Sequence, residues 1–124
     1  MINYHIKDLF KTGSTKEIFE ILKGKLPTIE SDYKWHGRGL RLLFIVIEIM
    51  VCLRENKLCV ITYEKIIKII ELKNLEALVN SDIPEHCRES LKEYISGLLP
   101  VGNELPVHEF ITSRLRKIDD SYFS

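Results

Sequence analysis

The stretch DYKWHGRGLRLLFIVIEIMVCLRENK, Asp32 to Lys57, decides how this chain is read. From Leu42 to Leu53 it is interrupted only by Glu48. A transmembrane helix needs about 20 predominantly apolar residues, and this run stops at Arg54 and Glu55 after roughly half that length. A helix apolar nearly all round but too short for a bilayer belongs at the centre of a folded core. Leu40, Leu43, Phe44, Ile47 and Val51 make one face, and Leu42, Ile45, Val46, Ile49 and Leu53 make another. Only Arg41, Glu48, Cys52 and Glu55 draw a polar line between them. Such a helix, from about Trp35 to Glu55, must be wrapped by others, which predicts an all-α compact bundle of about five to seven helices.

The flanks supply the wrapping. Ser14 and Glu17 have capping-box spacing, and Ile18, Ile21 and Leu22 follow at helical intervals until Gly24 and Pro27. After ENKLCVI, read as a short extended connection, Thr62 is an N-cap for a helix to about Lys73 with Tyr63, Ile66, Ile67 and Ile70 inward. Lys65, Lys68 and Glu71 read as a solvated face. A short turn, Leu75 to Val79, is expected after Asn74. Asp82 with Glu85 forms a second capping box with Pro84 in the first turn, and Cys87, Leu91, Tyr94, Ile95 and Leu98 carry the apolar face until Gly97 and Pro100. Pro106 opens a last helix with Val107, Phe110, Ile111, Leu115 and Ile118 inward. No repeat, low-complexity tract or interior linker divides the chain, so residues 1–124 read as a single all-alpha domain.

Composition narrows the function classes. The 124 residues are 45% hydrophobic and 29% charged, as in an ordinary globular domain. Lys plus Arg equals Asp plus Glu at 18 each, a net charge of zero that argues against a dedicated nucleic-acid binder, whose affinity comes from a basic excess. Cys52, Cys59 and Cys87 are odd in number, and MINYHIKDLF has no signal-peptide h-region, which predicts reduced thiols in the cytosol. Cys52 and Cys87 fall at core positions, where cysteine behaves as a small hydrophobe. No metal site is expected, because Cys52 and Cys59 are seven apart and no C-x-x-C occurs.

Catalytic and cofactor motifs are absent too. FKTGSTKEIF has a fragment of a phosphate loop without the full pattern and reads as a helix cap. His5, His36, His86 and His108 lie in four separate segments, and His86 and Cys87, adjacent on a helix, point about 100° apart and do not form a dyad. No residue set fills the catalytic roles, and the chain is expected not to be an enzyme and to need no cofactor.

WHGRG remains. In one reading Trp35 plugs the mouth of the bundle, and Gly37 and Gly39 let another segment approach closely. In the other, Lys34, Trp35, His36, Arg38 and Arg41 are a partner-binding set, because cations at a helix N-terminus make an anion site.

The run from YKWHGRGLRLL through CLRENKLCVITYEKIIKIIELKNLEALV resembles the all-alpha domain of type IV secretion coupling proteins, the ATPases that deliver DNA or protein to conjugative and effector-exporting machines. That domain has a W-x-G-R-A motif opening a long apolar helix. Trp35, Gly37 and Arg38 match it, Gly39 replaces the alanine, Leu53 and Arg54 match its LR ending, and Leu72, Leu75 and Leu78 match the leucine spacing that follows. IPEHCRESLKEYISGLLP is similar to its proline-started helix, and VHEFITSRLRKIDDSYFS more loosely to its closing helix. The resemblance implies a piece of a larger, membrane-associated, hexameric ATPase. The domain would stand at the cytoplasmic mouth of the ring, with the nucleotide motifs outside it, and would recognise a relaxase with its DNA or a secreted effector; alone it would be a monomer. The rival readings are a free-standing helical adaptor or chaperone for a partner protein, and a small helical DNA-binding domain.

Overall fold

The computed structural model describes residues 6–26 and 33–101, together with Ile111, Ser113, Leu115 and Arg116. Among these residues the fold is all-helical, with six helices: α1 (Ile6–Thr12), α2 (Thr15–Lys25), α3 (Tyr33–Glu55), α4 (Tyr63–Ile70), α5 (Leu72–Val79) and α6 (Glu85–Val101). The hub is α3, against which α2, α4 and α6 all pack, while α1 leans on α2, and α5 bridges α4 and α6. Leu42, Leu43, Val46, Ile47, Ile49 and Met50 on α3 are fully buried, as the apolar run requires. No helix among the described residues is long and apolar enough to cross a membrane.

Two expected caps are present. The Ser14 hydroxyl accepts from the Glu17 amide at 3.1 Å and the Glu17 carboxylate accepts from the Ser14 amide at 3.0 Å. The Thr62 hydroxyl accepts from the Lys65 amide at 3.1 Å. The Ser14 bonds hold the Glu17 carboxyl below its ordinary range. A carboxyl depressed by folding stabilises above its unfolded pKa, and the contribution is lost as pH falls through the folded value. Ser14→Ala, which deletes the N-cap hydroxyl, should cost about 1 kcal/mol. Glu17→Gln, which keeps the Ser14 hydroxyl bond and removes the carboxylate, should lose its difference from wild type as urea melts are taken down through the carboxylate range; a difference independent of pH would show that the reciprocal bond from the Ser14 amide to the carboxylate contributes nothing.

Four differences from the sequence reading have local causes. A first helix, α1, was not expected; it ends where Gly13 donates to the Leu9 carbonyl at 2.6 Å, and a Cβ on Gly13 would lie 2.6 Å from that oxygen. The helix expected to run to Lys73 breaks at Glu71, whose ψ of 131° is extended, and the expected turn 75–79 is part of α5. Asn74 accounts for the break, donating its side-chain amide to the Lys68 carbonyl at 2.6 Å and its backbone N–H to Glu71 O. This lets both Ile70 and Leu75 bury completely. The Asp82–Glu85 box does not form: α6 starts at Glu85, just after Pro84, and the Glu85 carboxylate binds Arg88 at 3.1 Å and Lys92 at 2.7 Å instead. Lys92, then Arg88, hold that carboxyl below its ordinary range. Finally, α6 runs past Gly97 and Pro100 to Val101, one residue beyond the proline, so the proline marks the end of the helix rather than preventing it. The last expected helix is seen at Ile111 and Leu115, both helical and buried, with the Leu115 carbonyl accepting from the Tyr63 hydroxyl. Pro27, Pro106, Val107, Phe110 and Ile118 lie outside the described residues.

Beyond α3 the chain turns through Asn56 and Lys57. Leu58 N–H returns to Leu53 O at 2.8 Å and Lys57 N–H to Arg54 O at 2.9 Å, with Lys57 left-handed at φ 60°. That is a Schellman stop with lysine where glycine usually stands.

Candidate functional site

Two regions of the fold gather chemistry-bearing residues, one at each end of α3. At its start, Lys34, Trp35, His36 and Arg38 occupy helical backbone, and their side chains lie outside the described residues. Arg41 is exposed and has no hydrogen-bond or ion-pair partner among the described residues, whereas Gly39, two residues earlier, is buried. Positions two apart stand about 200° apart around a helix, so the outward side of this turn is the Arg41 side. Lys34 and Arg38 stand seven and three residues before Arg41 and share its register, while Trp35, four before Gly39, shares the register of the buried face. Glu48, the half-buried carboxylate on this helix, stands about 15 Å further along the axis than Arg38. Its Oε1 accepts from Ser90 Oγ on α6 at 2.5 Å.

At the other end lies a cluster that sequence spacing did not reveal. The Glu48–Ser90 bond and the Cys52–Cys87 contact step in opposite directions along the two helices, so α3 and α6 run antiparallel. This packing brings the Cα atoms of Cys52 and Cys87 to 5.6 Å, and the two sulfurs are joined as a disulfide across 35 residues of chain. The expectation of reduced, independent thiols is corrected for this pair, because the Cα spacing falls within the disulfide range. Among the three cysteines only Cys59 is free. Cys59 is half-buried, with its thiol directed to the Met50 carbonyl at 3.6 Å. Burial pushes that thiol up, against the opposing pull of Lys65 and Arg54, which makes it a poor nucleophile at neutral pH.

Around the pair stand His86 and Asn56. One donor atom each from Cys52, His86 and Cys87 lie within 4.8 Å of one another. Asn56, just past the end of α3, donates its side-chain amide to the Cys52 carbonyl at 2.8 Å. The same nitrogen lies 3.9 Å from Cys52 Sγ, 3.8 Å from Cys87 Sγ and 3.3 Å from His86 Nε2. Cys87 is buried and Cys52 half-buried, while His86 and Asn56 are exposed, so the cluster opens to solvent on one side. Cys87 is fixed in the first turn of α6 by its N–H bond to Pro84 O at 3.0 Å. His86 and Cys87, adjacent on α6, share Cys52 of another helix as a common neighbour. The absence of C-x-x-C spacing was the ground for expecting no metal site, yet two sulfurs and an imidazole are a borderline-soft donor set of the kind zinc takes.

Comparison of the chain with protein-family models, with curated proteins and with solved structures finds no match.

Proposed function

We propose that the chain is a non-catalytic substrate-recognition domain of the kind carried by type IV secretion coupling proteins, receiving a relaxase with its DNA or a secreted protein. The observation that carries the reading is Arg41: exposed, unpaired among the described residues, and in register with Lys34 and Arg38 on the helix that the W-x-G-R element opens. The buried Gly39 on the opposite side accounts for the small residue at that position of the motif. Hub architecture around α3 fits the domain that the resemblance implies. On this reading the domain is a monomer on its own, works at the cytoplasmic face of the membrane, and leaves ATP hydrolysis to the rest of a hexameric parent.

Partner contact through arginine separates function from folding. Arg41→Ala should change stability by no more than about 0.5 kcal/mol, since an exposed, unpaired guanidinium contributes little. An Arg38→Ala, Arg41→Ala double variant of the parent should lose most substrate transfer while the purified domain melts as wild type does. A stable double variant that transfers normally rejects the reading. One that loses its fold returns the motif to packing alone. The adaptor reading draws on Leu58 and Val60, apolar residues left 55% and 65% exposed between α3 and α4. If it holds, Leu58→Ser with Val60→Ser, rather than the arginine changes, should abolish partner binding.

A further inference from the structure

We infer that, once the disulfide is reduced, Cys52, Cys87 and His86 form a three-ligand site for a thiophilic divalent cation of the Zn2+ class, with Asn56 supporting it from outside. The inference is independent of the recognition proposal and concerns the opposite end of α3. The donors come from two different helices and are already gathered, within 4.8 Å of one another. Two of them are held by elements that are fixed without the disulfide: Cys52 by the buried hub helix, and Cys87 by the first turn of α6, whose neighbour Leu91 is fully buried.

The chemistry matches zinc more closely than calcium or magnesium. Hard cations take six or more oxygen ligands, and this cluster offers sulfur and nitrogen. Zinc accepts two thiolates at about 2.3 Å and one imidazole at about 2.0 Å in a tetrahedron, which asks the sulfurs to move apart to roughly 3.8 Å. Side-chain rotation at the two cysteines is enough for that at a Cα spacing of 5.6 Å. The fourth position faces the exposed side, between His86 and Asn56, and is open to water or an incoming ligand. Asn56 is placed as a supporting donor, its amide near both sulfurs and near the imidazole nitrogen. An N–H directed at a thiolate stabilises the charged form that the metal needs.

The two states exclude each other. A phosphine reductant converts the disulfide to two thiols and takes oxygen from water to become its oxide. Binding of the cation then forms two metal–sulfur bonds and releases the two thiol protons, while His86 enters neutral. A low-molecular-weight disulfide reverses this by thiol–disulfide exchange. One thiolate attacks it and expels a thiolate, the second thiolate attacks the mixed disulfide and expels the other, and the Cys52–Cys87 bond re-forms. The oxidant leaves as two thiols, and the metal, with both sulfurs taken, is released. The cluster is thus a site whose occupancy follows the redox state of its surroundings.

The test uses the intact chain, reduced with a water-soluble phosphine, freed of metal with a chelator, desalted without oxygen and titrated with Co2+ and then Zn2+. Expected are one equivalent of Co2+ with a near-ultraviolet sulfur-to-cobalt charge-transfer band and the intense visible bands of a four-coordinate ion, displacement by Zn2+, and release of two protons per metal. The unreduced chain should bind none. Asn56→Ala should weaken binding about tenfold or more, as removal of an outer-shell partner does. His86→Ala, which leaves the disulfide and fold untouched before reduction, should weaken it further. Cys59→Ser should bind as wild type does. If the reduced chain unfolds, the same titration should refold it, read by circular dichroism. Absence of the charge-transfer band in the reduced chain overturns the inference, as does equal binding by the oxidised chain, retention of affinity in His86→Ala, or a reduced, unfolded chain that Zn2+ does not refold.

Discussion

Arg54→Met is expected to destabilise the chain by about 3 kcal/mol, because a cation bonded to several backbone carbonyls is worth about 1.5 to 3 kcal/mol per bond and the bonds are not additive. The guanidinium reaches from the last turn of α3 to the end of α1, donating to Phe10 O at 3.0 Å, Gly13 O at 2.8 Å and, more weakly, Leu9 O at 3.4 Å. Leu9 and Phe10 stand in the last turn of α1 and Gly13 just beyond it, so the cation sits where the carbonyls of a helix C-terminus gather negative charge, and Leu9 O also accepts from the Gly13 N–H. Water cannot readily replace the donor, since the Arg54 side chain is only 10% exposed. Its other partner, Glu55, is 66% exposed, so Glu55→Ala should stay within about 0.5 kcal/mol. Methionine keeps the aliphatic stem and deletes only the charge and the donors. Hydrogen exchange should then show α1 amides opening at lower free energy than those of α3, because α1 is short and attached through this contact and α2. A loss below about 1 kcal/mol in urea melts, with α1 protection unchanged, would mean that α1 is held by Leu9 and Phe10 packing alone.

The role of Arg54 shows where the sequence stops being legible. Helix α3 could be read directly, because a dozen apolar positions with no room for a bilayer leave one outcome. The caps at Ser14 and Thr62 were equally readable, since their chemistry is complete within three residues. Arg54 looked like the polar end of a motif, and its partners lie 41 to 45 residues away, beyond any local pattern. The break between α4 and α5 sits between the two scales: KIIKIIELKNL has continuous helical periodicity, and only the reach of the Asn74 amide back to Lys68 O shows why the chain bends at Glu71. Asp82 and Glu85 had the right spacing for a cap, but Arg88 and Lys92 compete for the same carboxylate and take it. The candidate sites divide likewise. Arg41 was legible as a surface cation from its place on the narrow polar line of α3. The Cys52, His86 and Cys87 cluster exists only because α3 and α6 run antiparallel, and nothing in the spacing of three scattered cysteines carries that register.

Opening the Cys52–Cys87 link should cost about 4 kcal/mol, the largest single effect expected in the chain, by the loop-closure entropy of the denatured state. The bond spans 35 residues, including the whole of α4 and α5, so the unfolded chain loses a sizeable loop when it is closed and regains it when it is cut. For a domain of this size that corresponds to a fall in melting temperature of roughly 15 °C. The Cys52→Ala, Cys87→Ala double variant and the phosphine-reduced wild type should agree to within about 1 kcal/mol, since both remove the same constraint and alanine leaves only a small void in place of each sulfur. Both measurements need a chelator present. A cation bound by the reduced pair would tie α3 to α6 again and restore part of the lost stability through its affinity for the folded state alone. The double variant lacks the thiolates and serves as the reference: added Zn2+ should raise the melting temperature of the reduced wild type and leave the variant where it was. A drop of less than about 1 kcal/mol on reduction under chelation would show that α3 and α6 are held by their packing and the Glu48–Ser90 bond, with the link between the sulfurs adding nothing to it.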